Sequence, residues 1–253
     1  MICEEMKGKR VLVTGSSSGI GVAAAVMFSR QGAYVGVHYF KTKKGGEKTF
    51  EQVKAHSDGC LLCADLRDEK QAGEMVEQFA SLAGGIDILV NNAGTLVGRM
   101  PIETATLEFY YDVFDTNTTS MFLVTRAAMP YLKQSKGNIV NVGSIAGHNG
   151  GGGGSGIYAG AKAAVHTMTI SMAKEFAPYG IRANSVLPGF IDTRFHHQFS
   201  SAERRKKMAK DTPLSRNGTG EDLAKAILFL ASDAADFITG EYIAVNGGIY
   251  MRA

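Results

Sequence analysis

The 253-residue chain reads as an α/β protein with a doubly wound parallel sheet of about seven strands and helices on both faces. Short β-rich runs alternate with amphipathic stretches along its length, an order that demands parallel pairing through right-handed crossovers. The early strand candidates are continuous apolar runs, as expected when helices cover both sheet faces. A glycine cluster directly follows the first of them.

The strand candidates are residues 11–14, 34–39, 60–64, 86–91, 138–142, 182–187 and 242–245. Helical periodicity covers 20–31, 69–82, 158–176 and 221–231 among the segments between them. No repeat and no Pro- or Ser-rich linker interrupts the pattern, so residues 1–253 are expected to form one domain. The run Gly150–Gly154 is the one low-complexity stretch, expected as a flexible surface loop.

Composition excludes several classes. Apolar residues at 45% and charged residues at 20% are those of a folded globular chain, not a disordered one. A net charge of +3 is too small to imply nucleic-acid or membrane binding. No apolar run approaches a membrane span, and the acidic start Met1-Ile2-Cys3-Glu4-Glu5 lacks the apolar region of a secretory leader. Three cysteines make no disulfide framework, and the chain reads as cytoplasmic. Cys60 and Cys63 lie i, i+3 on a strand, on opposite faces, which argues against a shared metal or disulfide. His196 and His197 have no third ligand at helical spacing, so no metal site is expected.

The first strand ends in Thr14-Gly15-Ser16-Ser17-Ser18-Gly19-Ile20-Gly21 and a helix follows. Gly15 permits a tight turn, Gly19 close approach to a pyrophosphate, and Gly21 packing of helix on strand. The helix N-terminus offers free N–H groups and a positive dipole end to phosphates. The spacing G-x-x-x-G-x-G differs from the commoner G-x-G-x-x-G.

Tyr158 and Lys162 stand i, i+4, on one face of a helix. A tyrosine with an ammonium one turn away is suited to proton transfer at an alcohol oxygen, because the cation is expected to lower the phenol pKa.

Further motifs lie in the same order along the chain: Asn91-Asn92-Ala93-Gly94 after the fourth strand, Asn117 in Thr116-Asn117-Thr118-Thr119-Ser120, Ser144 after the fifth strand, and Pro188-Gly189-Phe190-Ile191-Asp192-Thr193. With the glycine turn and Y-x-x-x-K, the chain resembles the short-chain dehydrogenase/reductase family from Arg10 to Gly248. It is similar to the short single-domain form, which includes 3-oxoacyl-[acyl-carrier-protein] reductases and sugar or alcohol dehydrogenases. The resemblance implies a Rossmann-type fold and hydride transfer between a nicotinamide and a carbonyl or secondary alcohol. Tyr158 would be acid/base, Ser144 would bond the substrate oxygen, Lys162 would hold the nicotinamide ribose, and Asn117 would position a water. Gly15, Ser17, Ser18, Gly19, Ile20, Gly21, Tyr39, Lys41, Asp65, Leu66, Asn91, Ala93, Gly94, Pro188, Gly189, Ile191 and Thr193 would contact or brace the cofactor, with Asp65 on the adenine amino group. Asp65 also suits a helix N-cap. Residues 190–215 would cover the substrate, and a homotetramer would form through the Tyr-bearing helix, the long helix before it and the C-terminal end.

An NAD enzyme of this fold usually carries an acid about 20 residues past the glycines. Here no acid lies between Ala33 and Gly46, Tyr39 stands in its place, and Lys41, Lys43 and Lys44 follow. NADP(H) is therefore favoured over NAD(H). The basic run from Arg204 to Lys210 leaves room for an acyl carrier protein as partner, a solvated helix face being the plainer reading. A catalytically silent NADP-binding sensor is the alternative function, although such a protein need not keep the proton relay. The three-residue gap between Tyr158 and Lys162 disfavours an enoyl reductase. The segment between Ser144 and Tyr158 is one residue longer than the commonest family spacing.

Overall fold

The computed structural model describes residues 6–251, and the acidic start lies outside the described residues. Seven parallel strands form a single sheet in the order β3-β2-β1-β4-β5-β6-β7. They are β1 (Arg10–Val13), β2 (Tyr34–Tyr39), β3 (Gly59–Cys63), β4 (Ile88–Asn91), β5 (Asn138–Val142), β6 (Arg182–Pro188) and β7 (Tyr242–Val245). The helices are α1 (Gly19–Arg30), α2 (Lys43–Lys54), α3 (Glu69–Ala83), α4 (Leu107–Phe114), α5 (Ser120–Ser135), α6 (Ala146–Asn149), α7 (Gly156–Phe176), α8 (Arg194–Phe199), α9 (Ala202–Asp211) and α10 (Gly220–Ala231). The doubly wound α/β expectation holds, and strand bounds agree to within two residues.

Strand alternation divides the core. Leu12, Leu62, Leu89 and Ile139 face α3, α5 and α7, whereas Val11, Val13, Val35, Val37, Val90 and Val140 face α1, α2 and α10. Gly36 marks a tight point on the first side. A Cβ there would sit 2.5 Å from Phe79 Cδ2 and 3.0 Å from Leu12 Cδ1. Gly36→Ala is therefore expected to cost about 2 kcal/mol by overpacking, read as a lower denaturation midpoint with an unchanged m-value.

The chain leaves β1 for β2 on one side of the sheet, and β4 lies on the other side of β1. At this reversal the loops after the two strands diverge and open a crevice at their carboxyl ends. The glycine turn and the Asn91–Gly94 segment sit there. Cys60 is buried and Cys63 exposed, consistent with opposite faces of β3. Among the described residues, no helix is long and apolar enough to cross a membrane.

Candidate active site

A cavity of about 620 Å³ opens at the carboxyl ends of the strands. Its floor is built by side chains that fasten the loops to one another. Gly15 and Gly19 carry φ of +64° and +60°, a left-handed conformation that favours glycine. The Gly15 N–H donates to His38 Nδ1 at 2.9 Å, and His38 Nε2 meets the Ala64 carbonyl at 3.1 Å. This assigns the proton to Nε2. Burial pushes His38 down to about 4, so it stays neutral. The Thr14 hydroxyl accepts from the Asn92 and Ala93 N–H groups, and Asn92 Nδ2 donates to the Thr14 and Gly15 carbonyls. A Cβ on Gly21 would lie 2.5 Å from Asn92 Nδ2, so only glycine lets α1 start this close to the loop.

At the start of α1, Ser18 makes no side-chain cap bond and the first turn holds no acid. The N-terminal N–H groups and the dipole are thus open to an anion from the cavity. Ser17, Ser18, Gly19, Ile20, Ala93, Gly94, Pro188, Gly189, Ile191 and Thr193 line this space.

Asn91, Gly21, Tyr39, Asp65 and Leu66 do not line it. Asn91 Nδ2 donates to Thr125 Oγ1 and Asn141 Oδ1, and Asn141 donates to Thr169, a buried ladder tying β4 and β5 to α5 and α7. The Tyr39 ring turns outward and packs over Gly46 of α2, while its neighbours Phe40, Lys41 and Thr42 reach the cavity wall. Strand alternation explains this, because His38 already points inward to brace Gly15. Both Asp65 carboxylate oxygens are bonded by Arg67, which holds that carboxyl below its ordinary range. Asp65 is not the helix cap: Asp68 caps α3, its side chain accepting from the Gln71 N–H. The Leu66 side chain is in the core.

The catalytic candidates converge. Ser144, Tyr158 and Lys162 line the cavity together. The Tyr158 hydroxyl is close enough to Ser144 to be influenced by it, and Lys162 Nζ lies 6.0 Å from the Tyr158 ring centre. Lys162 is buried and donates to the Val142 carbonyl at 2.9 Å. Asn117 lies behind the wall in a π-helical turn (Asp115–Thr119) between α4 and α5. Its Oδ1 accepts from the Thr95 N–H, and its Nδ2 donates to the Thr95 and Val113 carbonyls. A Cβ on Gly94 would sit 2.7 Å from Asn117 Oδ1 and 3.1 Å from Lys162 Nζ. The glycine thus keeps a cradle open before both.

The electrostatics correct one expectation. Burial pushes the Tyr158 hydroxyl up to about 12, with the neighbouring Ser144 hydroxyl pulling the other way. Burial also pushes Lys162 down to about 8. The lysine does not lower the tyrosine in this state: desolvation outweighs a cation that lies to one side and is spent on a carbonyl. Tyr158 accordingly holds its proton at neutral pH.

Four features escaped the sequence. His38 is one. The second is His166 of α7, whose Nε2 accepts from the Ser144 N–H at 3.3 Å and whose ring stacks with those of His148 and Tyr242. Arg99 and Arg204 also line the cavity. Only the adjacency of His38 to the nucleotide-selecting position could have drawn attention to it. The Gly150–Gly154 run departs from a flexible loop, because it is bonded along its length. The Met100 N–H donates to the Gly154 carbonyl, Arg99 Nη1 to the Gly153 carbonyl, and Ser155 Oγ to the Gly152 carbonyl.

A family model described as enoyl-(acyl carrier protein) reductase matches residues 15–250. The chain belongs to the short-chain dehydrogenase/reductase family. It is 38% identical over 245 residues to the 3-oxoacyl-[acyl-carrier-protein] reductase of Staphylococcus aureus, covering 96% of this chain and 98% of the relative. The Haemophilus influenzae protein of the same name is 38% identical over 251 residues, covering 97% and 100%. Among solved structures, an NADH-dependent reductase described as responsible for alginate metabolism superposes with a TM-score of 0.90 at 36% identity, over 98% of this chain and 100% of that one. The same reductase in complex with NAD gives 0.88 at 35% identity, over 98% and 99%. This member of the short-chain dehydrogenase/reductase family is therefore an oxidoreductase enzyme, and its Ser144, Tyr158 and Lys162 stand together in one cavity.

Proposed function

We propose that the protein is an NADPH-preferring reductase of carbonyl compounds, with 3-oxoacyl thioesters, keto-sugars and small ketones or aldehydes as the substrate classes. One observation carries the reading: a protonated Tyr158 and Ser144 line one cavity, whose other end is an uncapped helix N-terminus. The residues fit a nicotinamide dinucleotide. Gly15, Ser17, Ser18, Gly19, Ile20 and Gly21 form the phosphate turn. Ala93, Gly94, Pro188, Gly189, Ile191 and Thr193 wall the remainder, braced by Asn91. Asp65 and Leu66 stand behind the adenine end. A bound nicotinamide would supply the hydride for the substrate carbon. Ser144 and Tyr158 both present hydroxyls to the substrate oxygen, and Tyr158 gives it a proton as charge develops there. Lys162 holds a positive charge behind the ribose position, and Asn117 keeps the adjoining turn open. The hydroxyl pair aims at an oxygen, which favours a carbonyl over a carbon–carbon double bond.

Lys41 supports NADPH. It lines the cavity, and no Asp or Glu lines it. The nearby Asp65 is neutralised by Arg67 at 2.6 Å. Lys41→Ala should lower kcat/KM for NADPH about 10-fold, about 1.4 kcal/mol, and leave NADH within about two-fold. Equal efficiency with both cofactors in the parent would overturn the preference.

The reading extends to assembly and place. Residues 190–215 contribute α8 and α9, whose Phe195, His196, Arg204 and Met208 line the cavity, and act as its lid. Leu107, Tyr110, Tyr111 and Phe122 on α4 and α5 are exposed, which suits a homotetramer built on these helices. The basic face of α9 suits an acyl carrier protein, and the location is cytoplasmic. The deciding assay follows reduced-nicotinamide absorbance with NADPH or NADH over the carbonyl panel. Oxidation by one class names the substrate, and silence across the panel favours a sensor.

A further inference from the structure

We infer that the substrate carries an oxyanion, a carboxylate or a phosphate, seated between Arg99 and Arg204 on the lid side of the cavity. This rests on reading the site as a carbonyl reductase. Arg99 follows β4, Arg204 comes from α9, and Gly152 of the Gly150–Gly154 run borders both side-chain tips. A Cβ built on Gly152 would sit 2.8 Å from Arg204 Nη2 and 3.5 Å from Arg99 Nη1, so the two guanidinium tips converge on one spot. Any side chain at position 152 would occupy it.

Two like charges placed together repel unless an anion lies between them. Burial and the charge of Arg204 both push the Arg99 guanidinium down. Three other exposed arginines pair with carboxylates, Arg67 with Asp65 and Asp112, Arg126 with Glu69 and Arg216 with Asp222, whereas, among the described residues, Arg30 and Arg194 stand apart from each other and from any carboxylate. Among the described residues, Arg99 and Arg204 have no carboxylate partner, and no Asp or Glu lines the cavity. The neighbouring His196 adds no charge, since burial followed by the fields of Arg204 and Arg99 pushes it down to about 4. Paired guanidinium forks match the geometry of a carboxylate or phosphate. The other cations of α9, Arg205, Lys206, Lys207 and Lys210, do not line the cavity, so a general basic face does not account for Arg204. The glycine run, longer by one residue than the common spacing, thus has a role: it leaves the anion site unobstructed.

The experiment compares an oxo acid, its methyl ester, the same carbon chain ending in phosphate, and a pantetheine thioester without phosphate, each with NADPH. The wild type should prefer an anionic substrate over its neutral counterpart by about 30-fold in kcat/KM. In Arg99→Gln and in Arg204→Gln that ratio should fall about 10-fold, mainly through KM. Whether acid or phosphate is preferred names the anion. No preference in the wild type, or an unchanged ratio in both variants, overturns the inference while leaving the reductase reading intact. If no carbonyl compound oxidises NADPH, the reductase reading fails instead. Calorimetry of the oxo acid on cofactor-loaded protein then decides the site, with binding weakened in both variants supporting it and equal affinities refuting it. Both arginines are exposed and Arg99→Gln gives up only the bond to the Gly153 carbonyl, so both variants should stay folded and melt within a few degrees of the wild type.

Discussion

Tyr158→Phe should lower kcat by about 10³-fold, within the range a positioned general acid contributes. The variant loses the one hydroxyl that combines nearness to Ser144, a place in the cavity and a proton retained at neutral pH. Reduction then needs a proton from water that the enclosed site does not position. KM for the cofactor should change by less than about two-fold, because the loss falls on the transition state and not on ground-state binding. Thermal stability should stay within about 1 kcal/mol, the net worth of one hydrogen bond. Ser144→Ala should cost about 10²-fold in kcat, since it removes a single donor to the developing oxyanion. Stopped-flow absorbance with NADPH in excess separates the chemical step from release. A single-turnover rate in Tyr158→Phe close to that of the wild type would refute the assignment.

The architecture was legible because it is written in local patterns. Val35 to Val37 and Leu89 to Val90 are apolar because both sheet faces are covered, and the 158–176 helix shows itself by period. The glycine turn was legible for the same reason: Gly15 and Gly19 need their conformation whatever the rest of the chain does. What escaped depends on contacts remote in sequence. Position 39 looked like the nucleotide-selecting residue by its distance from the glycines, yet the inward position belongs to His38, which braces Gly15 across 23 residues. His166 supports Ser144 from 22 residues away, through a helix whose own pattern only reports burial. Arg99 comes from the segment after β4 and Arg204 from α9, and only folding sets them side by side. The sign of the Tyr158 shift was missed for a related reason. Helical spacing gives the separation of two side chains, but burial decides which charge state each can keep.

Lys162→Met should move activity and stability in opposite directions. The ammonium is buried, it donates to the neutral Val142 carbonyl, and burial holds it at about 8 against an ordinary 10.5. The sign follows from linkage. Below pH 8 both folded and unfolded chains bind the proton, and the folded chain carries the full penalty, about 3 kcal/mol for a shift of this size. Between pH 8 and 10.5 only the unfolded chain holds the proton, so stability rises with pH through that window. Methionine removes the penalty and forfeits the bond to Val142, worth about 1 kcal/mol, so the cofactor-free variant should gain about 2 kcal/mol at pH 7. For a chain of this length that is about 4–8 °C in Tm. The gain should vanish near pH 10 and reverse above pH 10.5, where the wild-type lysine becomes neutral in the unfolded chain as well. Reduction should meanwhile fall by about 10²-fold or more, because the positive charge beside Tyr158 is gone when the transition state develops negative charge on the substrate oxygen. Equilibrium denaturation of the cofactor-free proteins at pH 7 and pH 10, beside kcat at pH 7, reads both effects. A variant that loses stability as well as activity would show that Lys162 holds the fold together. The reverse pattern places its cost in the fold and its return in the reaction, the trade expected of a charge buried for function.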